Sequence, residues 1–181
     1  MPGQKFVVIV GIVVSCCLQN TLAHAEVVDK IVAILDEELI LLSEVRECLN
    51  NPGARMLANF EASSDPEQAA LRYLIEQQLL RREIQYLAFP KEKEVVKSLA
   101  TTYIINTYYH KDAQAFAEKV RTQGVPDAAL EQELLLSMKG IDYIRRKYRF
   151  NADIDKPDIV LNLFQQWVKD LQARAKIQIT F

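Results

Sequence analysis

Histidine and cysteine are scarce in this sequence, and their scarcity excludes several kinds of chemistry. The 181 residues include two histidines and three cysteines, and after residue 25 only His110 and Cys48 remain. One histidine and one cysteine cannot build a zinc site of the usual kinds, and a single cysteine cannot form an internal disulfide. His110 falls at a predicted helix end, where exposure is expected, so a Cys–His nucleophilic couple is not expected. Cys48 has apolar neighbours, as is typical of a small buried residue.

Glycine and net charge are also low. After residue 25 the only glycines are Gly53, Gly124 and Gly140, so no Gly-rich loop could hold a phosphate, and we expect no nucleotide cofactor. The formal charge is -2, and basic residues are spread among acidic ones, which gives no reason to expect nucleic acid as a partner. Half of the residues are apolar and a quarter are charged, a composition that predicts one ordinary globular domain.

The first 25 residues have the features of a secretory signal peptide. Lys5 precedes an apolar run over residues 6–18, and Ala23-His24-Ala25 is a small-x-small cleavage site. The run is shorter than the roughly 18 to 20 residues that a membrane-spanning helix needs. Residues 13–16, Val-Val-Ser-Cys, resemble a lipobox, so lipidation of Cys16 stays open as the alternative to cleavage after Ala25. The sequence thus predicts a signal peptide over residues 1–25 and a single domain over 26–181, with membrane attachment only if Cys16 is lipidated.

A β-hairpin leading into a helix is predicted for residues 27–45. Residues 27–35 are almost all apolar or β-branched, residues 36–38 form a polar turn, and residues 39–42 return as a second apolar run. Ser43 is predicted to cap the helix that follows, and Asn51-Pro52-Gly53 to end or bend it.

Five further helices are predicted from apolar spacing and from start and stop residues. The longest, residues 66–88, is apolar on two sides and is therefore expected at the centre of the bundle. The others cover residues 91–109, 112–123, 127 to about 148, and a last helix that starts at Asp155 or Pro157.

Four basic residues crowd the last turns of the helix that starts at residue 127: Arg145, Arg146, Lys147 and Arg149. We interpret them as compensating the helix dipole and facing solvent. The alternative, a nucleic-acid interface, would need a cytoplasmic location, against which the predicted signal peptide argues.

The last residues of the chain change period. Ala175, Ile177, Ile179 and Phe181 alternate with polar residues, as in a half-buried strand. A lone strand must pair, and the other strand candidates are in the N-terminal hairpin. The predicted fold is mainly α, a bundle of about five to six helices with a small antiparallel sheet that joins the N-terminal hairpin to the C-terminal strand.

Several stretches resemble the SurA family of periplasmic chaperones. They are Val-Val-Asp-Lys at 27–30, Leu-Ser-Glu-Val at 42–45, the helix over 71–80, and the stretch over 167–179. Two departures matter. Glu38 stands in the turn where the family often has glycine, and only residues 151–156 occupy the place of the parvulin-type prolyl isomerase domains. The paired histidines of an isomerase are absent from the sequence, so no enzymatic activity is expected.

The resemblance implies a periplasmic, ATP-independent chaperone that binds unfolded or extended segments of outer-membrane proteins through an apolar groove. Such a groove needs exposed aromatic and flexible apolar side chains, and the candidates are Tyr103, Tyr108, Tyr109, Phe116 and Met138. Each of them could instead be ordinary core. The alternative function is an interaction or assembly subunit with one dedicated partner, and exchange of the terminal strand between two copies would give a homodimer.

Overall fold

A computed structural model describes residues 29–180. The predicted signal peptide, the Cys16 lipidation signal and the first two residues of the predicted hairpin lie outside the described residues, as does Phe181. The predicted fold class is confirmed, because the described chain is mainly helical with one small antiparallel sheet.

The sheet has three strands: β1 (Ile31–Leu35), β2 (Glu38–Leu41) and β3 (Ile177–Ile179). β1 lies in the middle and pairs antiparallel with both neighbours, so the two chain ends meet as the sequence predicts. The turn is shorter than predicted, since Glu38 already belongs to β2 and only Asp36 and Glu37 connect the strands. Asp36 has a φ of +55°, and its N–H donates to the carbonyl of Lys176 over 2.8 Å.

The first helix, α1 (Leu42–Asn50), begins differently from the prediction. Ser43 is inside its first turn rather than at the cap position, and its N–H and hydroxyl both donate to the carboxylate of Asp29. The Leu41 N–H donates to the carboxylate of Glu44 over 2.7 Å. Two acidic side chains therefore satisfy the start of α1, one from the preceding chain and one from the first turn.

A second short helix, α2 (Pro52–Ala58), follows at once and was not predicted. The Asn51 side chain accepts hydrogen bonds from the N–H groups of Gly53 and Ala54, at 2.8 and 3.2 Å, with Pro52 as the first helical residue. The residues expected only to end α1 therefore also start α2. A turn of 3-10 helix (Phe60–Ala62) completes this region.

The remaining helices lie close to their predicted positions. The predicted central helix ends at Ile84, four residues early, and the carbonyl of Gln85 accepts a hydrogen bond from the Lys139 ammonium over 3.1 Å. It packs against α1, α6 and α7, which confirms its central place. These helices are α3 (Pro66–Ile84), α4 (Lys93–Tyr108), α5 (Ala113–Gln123), α6 (Asp127–Lys147) and α7 (Pro157–Arg174).

One continuous apolar core runs from the sheet through α3, α4, α6 and α7. The packing between α6 and α7 is closest at Gly140, where an added Cβ would lie 2.5 Å from the ring of Phe164. α5 has no fully buried residue, and its Phe116 and Val120 pack against the edge of this core. Over residues 29–180, no helix is both long enough and apolar enough to cross a membrane.

Candidate functional site

β3 leaves one side of the sheet open. Lys176 and Thr180, on either side of β3, are hydrogen-bonded to β1 and to the turn that follows it. The Asp36 N–H donates to the Lys176 carbonyl over 2.8 Å, and the Thr180 N–H donates to the Val32 carbonyl over 2.9 Å. Because bonding alternates along an antiparallel strand, the backbone groups of Ile177 and Ile179 point away from β1. Among the described residues, no strand pairs with that outer side. Within residues 29–180, the two N–H groups and two carbonyls of Ile177 and Ile179 thus have no backbone partner and could bond to another extended chain.

A groove of about 570 Å³ runs beside this open strand, and we call it the edge groove. Its walls come from the region after α2, from α3, from the end of α4, and from α7 with β3. Three alanines are among its lining residues, together with Ile177 and Ile179 of β3. The lining residues are Ala58, Asn59, Ala62, Ser63, Ala69, Arg72, Ile75, Glu76, Thr107, Tyr108, His110, Gln172, Ile177 and Ile179.

Glu76 is an acidic residue in the floor of the edge groove and is only 6% exposed. Its carboxylate accepts hydrogen bonds from the hydroxyls of Tyr103 and Tyr108, over 3.1 and 3.2 Å. Burial raises the pKa of Glu76 above its ordinary value, while the two hydroxyls act in the opposite direction. The same burial, with the nearby Glu76 charge, raises the pKa of both tyrosines, so both remain hydrogen-bond donors at neutral pH.

The rim of the edge groove has unusual backbone conformations. His110 and Lys111 follow α4 with φ values of +51° and +70°, and Asn59 after α2 has +49°. The side chain of Asn59 donates to the carbonyl of Tyr108 over 3.3 Å and accepts from the Lys119 ammonium over 2.8 Å. Left-handed conformations at residues other than glycine persist only where the surroundings hold them. These contacts hold the ends of α2 and α4 together on one side of the groove.

The five predicted binding residues are not gathered on one surface. Tyr108 lines the edge groove, and Tyr103 lies behind it, linked through Glu76. Tyr109 is 4% exposed and donates to the carbonyl of Met56, while its ring meets that of Phe116 edge-on at 5.2 Å.

Three of those five have no surface to offer in this conformation. Met138 is fully buried, and Tyr103 and Tyr109 are nearly so, because their spacing on the helices directs them into the core. Phe116 is partly buried against the core and does not line the groove. Of the five, only Tyr108 is therefore placed to contact a molecule in the edge groove.

Sequence reasoning missed most of the groove. It assigned Ile177 and Ile179 to a strand but could not say that their outer side would stay open. It gave no role to Glu76, although an acidic residue on a helix expected to be apolar on two sides is a signal that could have been followed. The alanines of the wall carry no chemical signal at all.

Other reactive groups in the described part of the chain do not form a second site. Cys48 is buried, and this burial, with the charges of Glu133 and Glu47, raises the pKa of its thiol to about 12, so it stays protonated at neutral pH. His110 is exposed at a helix end, as predicted. Between residues 29 and 180, no group of three or more histidine, cysteine, aspartate or glutamate side chains is arranged to hold a metal ion.

Comparison with protein-family models, with curated proteins and with solved structures finds no match to this chain.

Proposed function

We propose that this protein is an ATP-independent, chaperone-like protein of the periplasm that binds unfolded segments of outer-membrane or secreted proteins. The bound segment would lie extended in the edge groove and add a fourth strand to the sheet, next to β3. The observation that carries the proposal is the outer side of β3, which no strand of the described residues covers, beside a groove whose lining combines small apolar side chains with polar ones.

This geometry suits varied sequences. The backbone of any extended segment can bond to the N–H and carbonyl groups of Ile177 and Ile179, whatever its side chains. Every second side chain would then face the groove, where small alanines and the ring of Tyr108 can accept different apolar shapes. Backbone bonding provides general affinity, and the groove favours apolar residues.

The expected affinity is modest. Each backbone hydrogen bond contributes about 0.5–1.5 kcal/mol net, and burial of one apolar side chain about 1.5–3 kcal/mol. Ordering a flexible segment and immobilising it cost a large part of that sum. Binding is then reversible, as a protein that holds and releases its clients without ATP requires.

The location rests on the sequence. The predicted signal peptide over residues 1–25 and the resemblance to the SurA family both support export to the periplasm. Cleavage after Ala25 would release the protein, and lipidation of Cys16 would anchor it.

The first test is suppression of aggregation. An unfolded β-barrel protein is diluted from denaturant with an equimolar amount of this protein, without ATP, and light scattering is followed. Wild type is expected to suppress scattering. Absence of suppression would exclude the chaperone proposal, and capture of a single folded partner instead of many unfolded clients would favour a dedicated assembly subunit.

Two variants locate the binding site. Ile179→Pro removes an N–H that β1 does not use, and Ala62→Trp fills the groove, so both should lose suppression. Leu39→Pro is the matched control. Leu39 of β2 lies opposite Ile34 of β1, and the backbone groups of Ile34 bond to β3. The N–H of Leu39 therefore points away from β1, at the other edge of the sheet. Thermal unfolding verifies that all three variants fold, and equal activity of Ile179→Pro, Ala62→Trp and wild type would contradict the proposed site.

A further inference from the structure

Exposed aromatic rings occur in two segments of the chain, one before α4 and one after α6. Among residues 29–180, the exposed aromatic side chains are Tyr86 and Phe89, between α3 and α4, and Tyr148 and Phe150, after α6. Tyr86 and Phe150 are each 88% exposed. We call the set of these four aromatic residues and the basic residues Lys91, Lys147 and Arg149 the basic–aromatic end.

The two segments form one surface. Phe89 and Lys91 line a shallow cavity of about 470 Å³, and Arg149 lines its other side. An ion pair of 2.8 Å between Arg145 and Glu92 joins the segments across the same cavity. Phe89 and Lys91 therefore share a cavity with Arg149, which stands between Tyr148 and Phe150 in sequence, although about 60 residues separate the two segments.

Positive charge is in excess at this surface. Residues 145–150, Arg-Arg-Lys-Tyr-Arg-Phe, include four cations in six positions, whereas the whole chain has a formal charge of -2. Arg145 and Arg146 are neutralised by Glu92 and Asp142. Lys91, Lys147 and Arg149 form no ion pair within the described residues, and Asp155 is the one carboxylate without such a pair that lines the cavity.

Two of these three cations lie over exposed rings. The Lys147 ammonium is 5.5 Å from the centre of the Tyr148 ring, and the Arg149 guanidinium is 4.7 Å from that of Phe150. Compensation of the α6 dipole explains cations here, but it does not explain four exposed rings beside them. Exposed rings of this kind mark a surface that contacts something less polar than water.

We propose that the basic–aromatic end binds peripherally to the surface of an anionic phospholipid bilayer. Tyrosine and phenylalanine side chains are stable at the boundary between headgroups and acyl chains, and basic side chains are attracted to anionic headgroups. The rings protrude instead of lining a closed pocket, so they fit a soft, continuous surface better than an acidic peptide, which would need walls and directed hydrogen bonds. This contact does not depend on lipidation of Cys16 or on the edge groove.

The test measures co-sedimentation of the full chain with vesicles of phosphatidylcholine, with and without phosphatidylglycerol, at low salt. Wild type is expected to bind the anionic vesicles more tightly. Lys147→Gln/Arg149→Gln should weaken that binding about 30-fold and remove most of the preference. The control Arg121→Gln/Lys169→Gln removes the same charge from exposed positions on α5 and α7 and should retain it. The N-terminal apolar run is common to all variants, so it cannot produce a difference between them.

A second measurement reports insertion of a ring. In Phe150→Trp, the added tryptophan emission should be quenched by brominated lipid in anionic vesicles, relative to the background from Trp167 in wild type. Equal binding to neutral and anionic vesicles, equal loss in the two double variants, or no added quenching would overturn the proposal. Binding to single-stranded DNA without vesicle binding would also overturn it and would assign the surface to nucleic acid.

Discussion

The hydroxyl of Tyr108 donates a hydrogen bond to the carboxylate of Glu76 over 3.2 Å, in the floor of the edge groove. Tyr103 donates to the other carboxylate oxygen over 3.1 Å. Glu76 is a buried acid with two neutral donors and forms no ion pair within the described part of the chain, so it is costly to ionise. The groove is therefore built over a group that opposes folding when it is charged.

Replacement of Glu76 by glutamine is expected to stabilise the protein at neutral pH and to change how stability depends on pH. The pKa of Glu76 is raised in the folded state, so its contribution to stability is complete below the ordinary value of 4.5 and is lost as pH rises through the raised pKa. The free energy of unfolding of Glu76→Gln should thus increase relative to wild type between about pH 4 and 8. Asp29 and Asp36, whose pKa is lowered, give the opposite slope in both proteins and cancel in the comparison.

Glu76→Leu is the control for that variant. It removes the same charge but leaves the hydroxyls of Tyr103 and Tyr108 without their Glu76 acceptor, at a cost of about 1–3 kcal/mol for the buried Tyr103 hydroxyl. Denaturant unfolding should place Glu76→Leu below Glu76→Gln at every pH. If the free energies of unfolding of Glu76→Gln and wild type differed by the same amount at every pH, ionisation of Glu76 would not be disfavoured in the folded state.

Removal of residues 176–181 is expected to destabilise the whole domain. β3 covers one side of β1, and the Asp36 carboxylate accepts from the Lys176 N–H over 2.9 Å, joining positions 140 residues apart. Loss of this set of bonds should lower the free energy of unfolding by about 2–4 kcal/mol. Thr180→Val, which loses only the hydroxyl bond to the Ile31 carbonyl, should lose under about 1 kcal/mol. Unchanged stability after the truncation would refute closure of the sheet by β3.

Gly140→Ala is expected to destabilise the packing of α6 on α7. Alanine would favour the helix by about 1 kcal/mol, but its methyl group would lie 2.5 Å from the Phe164 ring and 3.2 Å from that of Trp167. Overpacking costs typically about 1–3 kcal/mol, so the net effect should be a loss. Phe164→Leu should lower the free energy of unfolding less in the Gly140→Ala background than in wild type. A double-mutant cycle that shows no coupling between the two substitutions would contradict the close contact.

Asn51 joins α2 to α6 through two interactions, and two different substitutions of Asn51 should distinguish their contributions to stability. Its carbonyl oxygen caps α2, while its amide donates to the Glu133 carboxylate over 2.7 Å. Asn51→Ala loses both the cap and the hydrogen bond to Glu133. Loss of the cap alone should lower the free energy of unfolding by about 0.5–2 kcal/mol. Asn51→Asp keeps the cap but places two carboxylates together, whose repulsion favours protonation in the folded state, so its deficit in unfolding energy should shrink as pH falls from 7 to about 4. A deficit that does not change with pH would exclude the contact with Glu133.

Much of the fold was predictable because strong local signals agreed with the tertiary structure. A nearly continuous run of apolar and β-branched residues before residue 36 and apolar alternation after residue 174 predicted the strands, and a lone terminal strand had few partners to choose from. Asn51-Pro52 misled the prediction because the pair is compatible both with the end of one helix and with the cap and first residue of another. Only the contact with Glu133, 82 residues away, reinforces the second role.

The candidate site was less predictable, since aromatic residues at helical spacing can face either core or solvent. Tyr103, Tyr109 and Met138 fill the core, and only Tyr108 reaches the groove. The open side of β3 depends on which strands pair, and that is a property of the assembled sheet. Local sequence does not carry such information.

The central claim, that an extended segment adds to β3, is tested most directly by amide hydrogen exchange followed residue by residue with NMR. In the free protein, the outward N–H groups of Ile177 and Ile179 should exchange fast, as should that of Leu39 on the opposite side of the sheet. With a saturating apolar peptide, the amides of Ile177 and Ile179 should become protected while that of Leu39 stays fast. Peptide binding that leaves both isoleucine amides unprotected would contradict strand addition.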